Sequence, residues 1–222
     1  MCSICLMLFL ILFSVFTVVN TLDFYTDQYE KNGTEQATGM SVADLEKATV
    51  LLLDYVNDKR DNLDMQAEEF GVMTETFDSR EKTHMIDVKA LYKNAALAMY
   101  IFLGVAAAGL GVLAFADKNA FPLRFAEGYK VAIITGVVLC VLFGGAFTLG
   151  FDTFWTLFHK VVFTNDLWLL DPRISTMINM FPLNLFLAMC SKILIRFAIL
   201  FFSFGAVADV LRRRAERKDR VK

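Results

Sequence analysis

The chain reads as an α-helical integral membrane protein: four transmembrane helices, a small extracytoplasmic α/β cap between helices 1 and 2, and an aromatic-rich interfacial loop between helices 3 and 4. Three observations predict this. Of 222 residues 56% are hydrophobic, 22 are phenylalanine, and the mean hydropathy is +0.50, well outside the range of soluble domains. Four stretches with few or no charges are long enough to cross about 30 Å of hydrocarbon. Finally, the Lys and Arg residues nearest the span ends gather on one side, as they do in cytoplasmic loops.

Taken in order, residues 1–22 carry no charge. They lack a positive leading region and a small-residue cleavage site, so the expectation is a retained first span and not a cleaved signal peptide. Residues 23–94 are too many for a structureless connection and should form the cap. Within it, Ser41 is a helix N-cap with Asp44 in the first turn, and Leu45, Ala48, Leu52, Tyr55 and Val56 recur at helical spacing until Asn57-Asp58. Gln66 to Phe77 has the Phe, Val and Thr content of a strand, though it alternates poorly. Asp78-Ser79 followed by Glu81 resembles a capping box, opening a helix that passes through His84 into the second span, residues 95–116.

A cytoplasmic loop is expected at 117–130, where Lys118, Arg124 and Lys130 lie, then a third span at 131–151. Residues 152–182 form the interfacial loop and 183–210 the fourth span. The tail, LRRRAERKDRVK at 211–222, is strongly basic and places the C-terminus in the cytoplasm. Both histidines of the chain, His84 and His159, then face the extracytoplasmic side. Cys140 and Cys190 fall in or beside spans, and Cys2 and Cys5 have no matching ligands, so neither a disulfide nor a cysteine metal site is expected. No phosphate-binding loop or internal repeat occurs, and neither a cofactor nor a nucleic-acid partner is expected.

The histidines are the candidate chemistry. His84 and Asp87 are three residues apart on one helix, so they share a face; the carboxylate is placed to hydrogen-bond one ring nitrogen and raise the basicity of the other. The plainer reading is an ordinary interfacial histidine beside a solvated acid. His159 lies in FDTFWTLFHKVVFTNDLWLLDP, whose Trp and Phe content suits the headgroup boundary; the plainer reading there is an aromatic belt. Lys192 is expected to snorkel. Arg196, one turn deeper, is a candidate by virtue of being an ionisable residue inside a span, pairing with Asp87 or Asp166 or holding the polar part of a lipid.

The segments SREKTHMIDVK, FHKVVFTNDLWLLDP and INMFP together resemble the bacterial lipoprotein intramolecular transacylase (Lit) family, small four-span membrane proteins. The resemblance covers most of the chain from about Leu45 onward. It is specific at Arg80-Glu81 with His84, Asp87 and Val88, and at Phe158-His159 with Phe163, Asp166, Trp168 and Pro172.

It implies an acyltransferase of the bacterial plasma membrane that moves the sn-2 acyl chain of a diacylglyceryl-cysteine onto that cysteine's α-amine, giving lyso-form lipoprotein. The diacylglyceryl-modified lipoprotein N-terminus and membrane lipid are the implied partners. His84 and His159 are the implied catalytic pair: His84 oriented by Asp87 as base, His159 as acid, or the reverse. Arg80, Glu81, Asp87, Asp166, Trp168 and Arg196 are implied in support. Two other classes fit the residues: a His/Asp metal-dependent membrane hydrolase using His84, Asp87 and His159 with Asp152 or Asp166, and a non-enzymatic membrane sensor or assembly protein.

Overall fold

A computed structural model describes residues 1–148 and 150–220. Helices α1 (Cys2–Val19), α2 (Leu22–Asn32), α3 (Thr34–Thr38) and α4 (Val42–Val56) lead into strands β1 (Gln66–Glu69) and β2 (Val72–Glu75). There follow α5 (Ser79–Ala116), α6 (Phe121–Thr148), α7 (Phe151–Val162), α8 (Thr176–Met180) and α9 (Leu183–Arg220). Among the described residues α1, α5 and α9 are long and apolar enough to cross a membrane. The expected third span, 131–151, lies on α6 and α7, and part of it falls outside the described residues, as do Cys140's side chain and the end of the basic tail.

The chain divides into two compact units. One comprises Met1–Phe16, Ala96–Thr148 and Lys192–Lys222. Its buried cluster joins Leu6, Met7 and Leu10 of α1 to Ala106 of α5, to Phe125, Tyr129 and Ala132 of α6, and to Phe197 and Phe201 of α9. In an apolar solvent there is little hydrophobic drive between helices, so close approach over small residues and satisfied polar groups take its place. At Gly128 an added Cβ would lie 2.9 Å from Ser3 Oγ, and the Tyr129 hydroxyl donates to the Phe201 carbonyl at 2.5 Å. The Arg196 guanidinium lies over the Phe13 ring at 5.8 Å.

The other unit comprises Thr17–Ala95 and Leu149–Ser191. The two expected outer loops are thus one body. Helix α4 begins where its sequence predicts, with Ser41 Oγ accepting from the Asp44 N–H at 3.2 Å. The single strand expected from Gln66 to Phe77 is instead an antiparallel hairpin, Glu69 pairing with Val72. Phe70 and Gly71 turn it with φ of 50° and 83°, the double left-handed conformation of a type I′ turn, which glycine supplies without steric cost. Poor alternation across the segment is the trace of that turn. Asp78 and Glu81 form a complete capping box: the Glu81 N–H donates to Asp78 Oδ1 at 2.8 Å and the Asp78 N–H to Glu81 Oε2 at 2.7 Å.

Two expected loops contain helix. Asp117 Oδ1 accepts from the Asn119 and Ala120 N–H groups at 3.1 and 2.9 Å, which starts α6 at Phe121, well before Val131. The first part of 152–182 is α7, with Asp152 in its first turn and Lys160 in its last, charges of the sign each helix end favours.

Candidate active site

His84 stands in the second turn of α5 and His159 in the last turn of α7, each only 8% exposed. The unit brings the two rings together at 6.5 Å between centroids. Phe163, the residue that ends α7, packs against both, 5.3 Å from His84 and 5.6 Å from His159. Trp168 stacks on His159 at 4.9 Å, and Trp155 meets it edge-on at 4.8 Å.

The hydrogen bonds of the two rings differ. His159 Nδ1 lies 2.8 Å from the Trp155 carbonyl oxygen. A carbonyl only accepts, so Nδ1 carries the proton and the neutral ring presents a bare Nε2 lone pair. His84 Nδ1 is buried with no hydrogen-bond partner among the described residues. Burial pushes both imidazoles below the ordinary histidine range. At His84 the neighbouring His159 adds to that effect and Asp87 opposes it; at His159 the Trp155 carbonyl opposes it. Burial thus favours the neutral form of each ring.

The histidines open onto an apolar cavity of about 310 Å³ within the same unit. On α5 its lining includes His84, Val88 and Tyr92, at i, i+4 and i+8, so that wall runs about 12 Å. Aromatic and aliphatic side chains such as Tyr25, Leu52, Phe158 and Phe186 complete it. At the far end the Tyr92 hydroxyl donates to Asn57 Oδ1 at 2.9 Å and accepts from Asn20 Nδ2 at 2.8 Å.

Glu81, 1% exposed, is a clasp. Its Oε1 accepts from Ser175 Oγ at 2.5 Å and from the Met177 N–H at 2.8 Å, tying the first turn of α5 to the segment that enters α8. Burial raises its carboxyl above the usual range, and the accepted hydrogen bonds hold it back. Arg80 Nη2 donates to the Asp166 backbone carbonyl at 2.5 Å, so Asp166 enters through its main chain.

Asp87 departs from expectation. Its Oδ2 accepts from Asn165 Nδ2 at 2.8 Å, and it makes no hydrogen bond to His84 Nδ1. The expected orientation of His84 by Asp87 is corrected accordingly: the carboxylate reaches that ring as a nearby charge only. Asn165 was not legible as a site residue, because its partner lies far away in the chain. The one signal was the turn-forming Asn-Asp pair itself. Arg196 belongs to the other compact unit. Among the described residues no three His, Cys, Asp or Glu side chains gather as metal ligands.

Residues 1–186 match the family model described as lipoprotein intramolecular transacylase Lit. The fold is similar to that of the membrane integral lipoprotein intramolecular transacylase Lit from Bacillus cereus, with a TM-score of 0.74 and 20% identity, covering 100% of this chain and 95% of that one. A histidine-to-arginine variant of that protein matches at a TM-score of 0.72 and 20% identity, covering 99% and 91%. A histidine-to-alanine variant matches at 0.72 and 20% identity, covering 100% and 93%. No curated sequence matches the chain.

Proposed function

Because the chain belongs to the lipoprotein intramolecular transacylase family Lit and is thus a membrane-bound acyltransferase, we propose that His84 and His159 carry an O-to-N acyl transfer within one diacylglyceryl-modified lipoprotein. The cysteine α-amine attacks the sn-2 ester carbonyl carbon, a tetrahedral intermediate forms, and the carbon–oxygen bond to the glycerol breaks as the amide forms. The products are an N-acylated cysteine and a free sn-2 hydroxyl. No acyl-enzyme is required. Amine and ester share one molecule, and holding them in attack geometry supplies much of the rate.

Two proton transfers remain, and two histidines face each other to make them. The reading assigns the base to His159, whose bare Nε2 takes the proton of the attacking amine. The proton taken up by His159 is relayed to its neighbour His84, which accepts it on one ring nitrogen and releases one from the other to the departing glycerol oxygen, so that both rings end neutral. This order reverses the one the sequence suggested first, and the Trp155 hydrogen bond is the single observation that supports it. The apolar cavity takes the migrating acyl chain along the α5 wall, with its reacting carbonyl between the rings.

Topology completes the proposal. The basic tail after Val210 is cytoplasmic, α6 supplies a third span and makes four in all, and the unit holding the histidines lies on the extracytoplasmic side, where mature lipoprotein N-termini are presented.

Mass spectrometry of the N-terminal lipopeptide of a lipoprotein, from bacterial cells lacking other N-acylation activity, tests the function. The wild-type protein is expected to yield the N-acyl, S-monoacylglyceryl peptide, and His84→Ala and His159→Ala to leave the diacyl form. A diacyl peptide unchanged by expressed wild-type protein overturns the transacylase reading.

A further inference from the structure

Between α7 and α8 the chain makes a tight turn through Asn165, Asp166 and Leu167. Asn165 Oδ1 accepts from the Leu167 N–H at 3.0 Å, and the Asp166 carbonyl accepts from the Leu169 N–H at 3.1 Å. This self-capped turn is fastened to α5 twice. Arg80 Nη2 holds the Asp166 carbonyl at 2.5 Å, and Asn165 Nδ2 donates to Asp87 Oδ2 at 2.8 Å. Arg80, His84 and Asp87 stand at i, i+4 and i+7, one face of the helix, with the anchors about 10 Å apart along its axis. The two anchors therefore bracket His84. From the fastened turn the chain returns to stack the Trp168 ring on His159 at 4.9 Å.

We propose that Asn165 is a positioning residue of the transacylase, with Asp87 as its partner: the bridge seats the turn over His84 and thereby holds Trp168 against His159. The inference rests on the acyl-transfer reading for its kinetic arm only. His159 is gripped at its edge by the Trp155 carbonyl and on its face by Trp168, so the plane in which Nε2 points depends on where Trp168 is held. Asp87 serves this bridge, which explains why a carboxylate one turn from His84 leaves the His84 Nδ1 without a hydrogen bond.

A charge swap tests the bridge. Asn165→Asp sets two carboxylates against each other and should lower kcat about tenfold with KM little changed, the loss of about one charge-assisted hydrogen bond's worth of geometry. Combining it with Asp87→Asn restores one amide and one carboxylate with the roles exchanged, and the carboxylate introduced at position 165 still accepts from the Leu167 N–H; kcat should recover to within about threefold of wild type, on the same scale.

A second readout needs no activity. Trp155 and Trp168 are the two tryptophans, so in a Trp155→Phe background acrylamide quenching reports Trp168 alone. Quenching should rise with Asn165→Asp and fall back in the swap. A swap as impaired as Asn165→Asp alone in both readouts overturns the bridge, and so does an Asn165→Asp protein with unchanged quenching and kcat. A wild-type protein that makes no N-acyl product fails the function and leaves the quenching arm to decide the bridge.

Discussion

Glu81 offers the sharpest quantitative test of how the site is held. Glu81→Ala removes the acceptor of three donors: Ser175 Oγ, the Met177 N–H and the Asp78 N–H. Ser175 and Met177 are 2% and 6% exposed, so their donors are left without water. A buried donor stripped of its acceptor costs about 1–3 kcal/mol. Two such donors, less the relief of no longer burying a carboxylate, give a net loss of about 3 kcal/mol. In a chain of this size that corresponds to a fall of about 6–12 °C in unfolding temperature.

Glu81→Gln keeps Oε1 for Ser175 and Met177 but turns an amide donor toward the Asp78 N–H, so about 1 kcal/mol is lost, or about 2–4 °C. Thermal unfolding of purified protein at matched scan rates measures both. Since Glu81 begins the helix that presents His84, transacylation should follow the same order: wild type, then Gln, then Ala. An alanine variant that unfolds at the wild-type temperature, or a glutamine variant as weak as alanine, refutes the reasoning.

The remaining predictions concern the chemistry. His84→Ala and His159→Ala should each lower turnover by about 10² to 10⁴, the usual worth of a positioned proton donor or acceptor, and the double variant should be little worse than the poorer single one because the pair acts as a unit; multiplicative losses in single-turnover kinetics count against it. Both imidazoles are depressed by burial. Below about pH 6.5 the unfolded chain takes up their protons first, so folded stability drops as pH falls there, and the acid limb of kcat/KM should have its midpoint below about 6.5. A midpoint above that value contradicts neutral, desolvated histidines. Val88→Trp, halfway along the cavity wall, should slow transfer of a long sn-2 chain at least about tenfold more than that of a four-carbon chain; equal slowing places the migrating chain elsewhere.

Much of the fold was legible in the residues because membranes and helix ends impose local rules. Charge-free stretches such as residues 1–22 and 95–116 announce helices long and apolar enough to cross a membrane, which α1 and α5 are. Ser41 with Asp44, and Asp78 with Glu81, announce helix starts within a few residues. The hairpin was half legible: Gly71 marks a turn, but strand content hid it. The helix over Phe151–Val162 was missed because its aromatic run serves equally well as an interfacial loop.

The sequence by itself determined the solvent of this protein, the identity of its two histidines and their family. Each of those depends on residue types and short spacings. Only the tertiary structure decided what the histidines touch. His84 and His159 meet because residues 17–95 and 149–191 fold as one body. Likewise, Asp87 finds Asn165 and not His84, and Glu81 finds Ser175. Such pairings join segments far apart in the chain, where the choice of partner is set by how helices and turns pack together and by the need to satisfy each buried polar group, which local spacing does not encode.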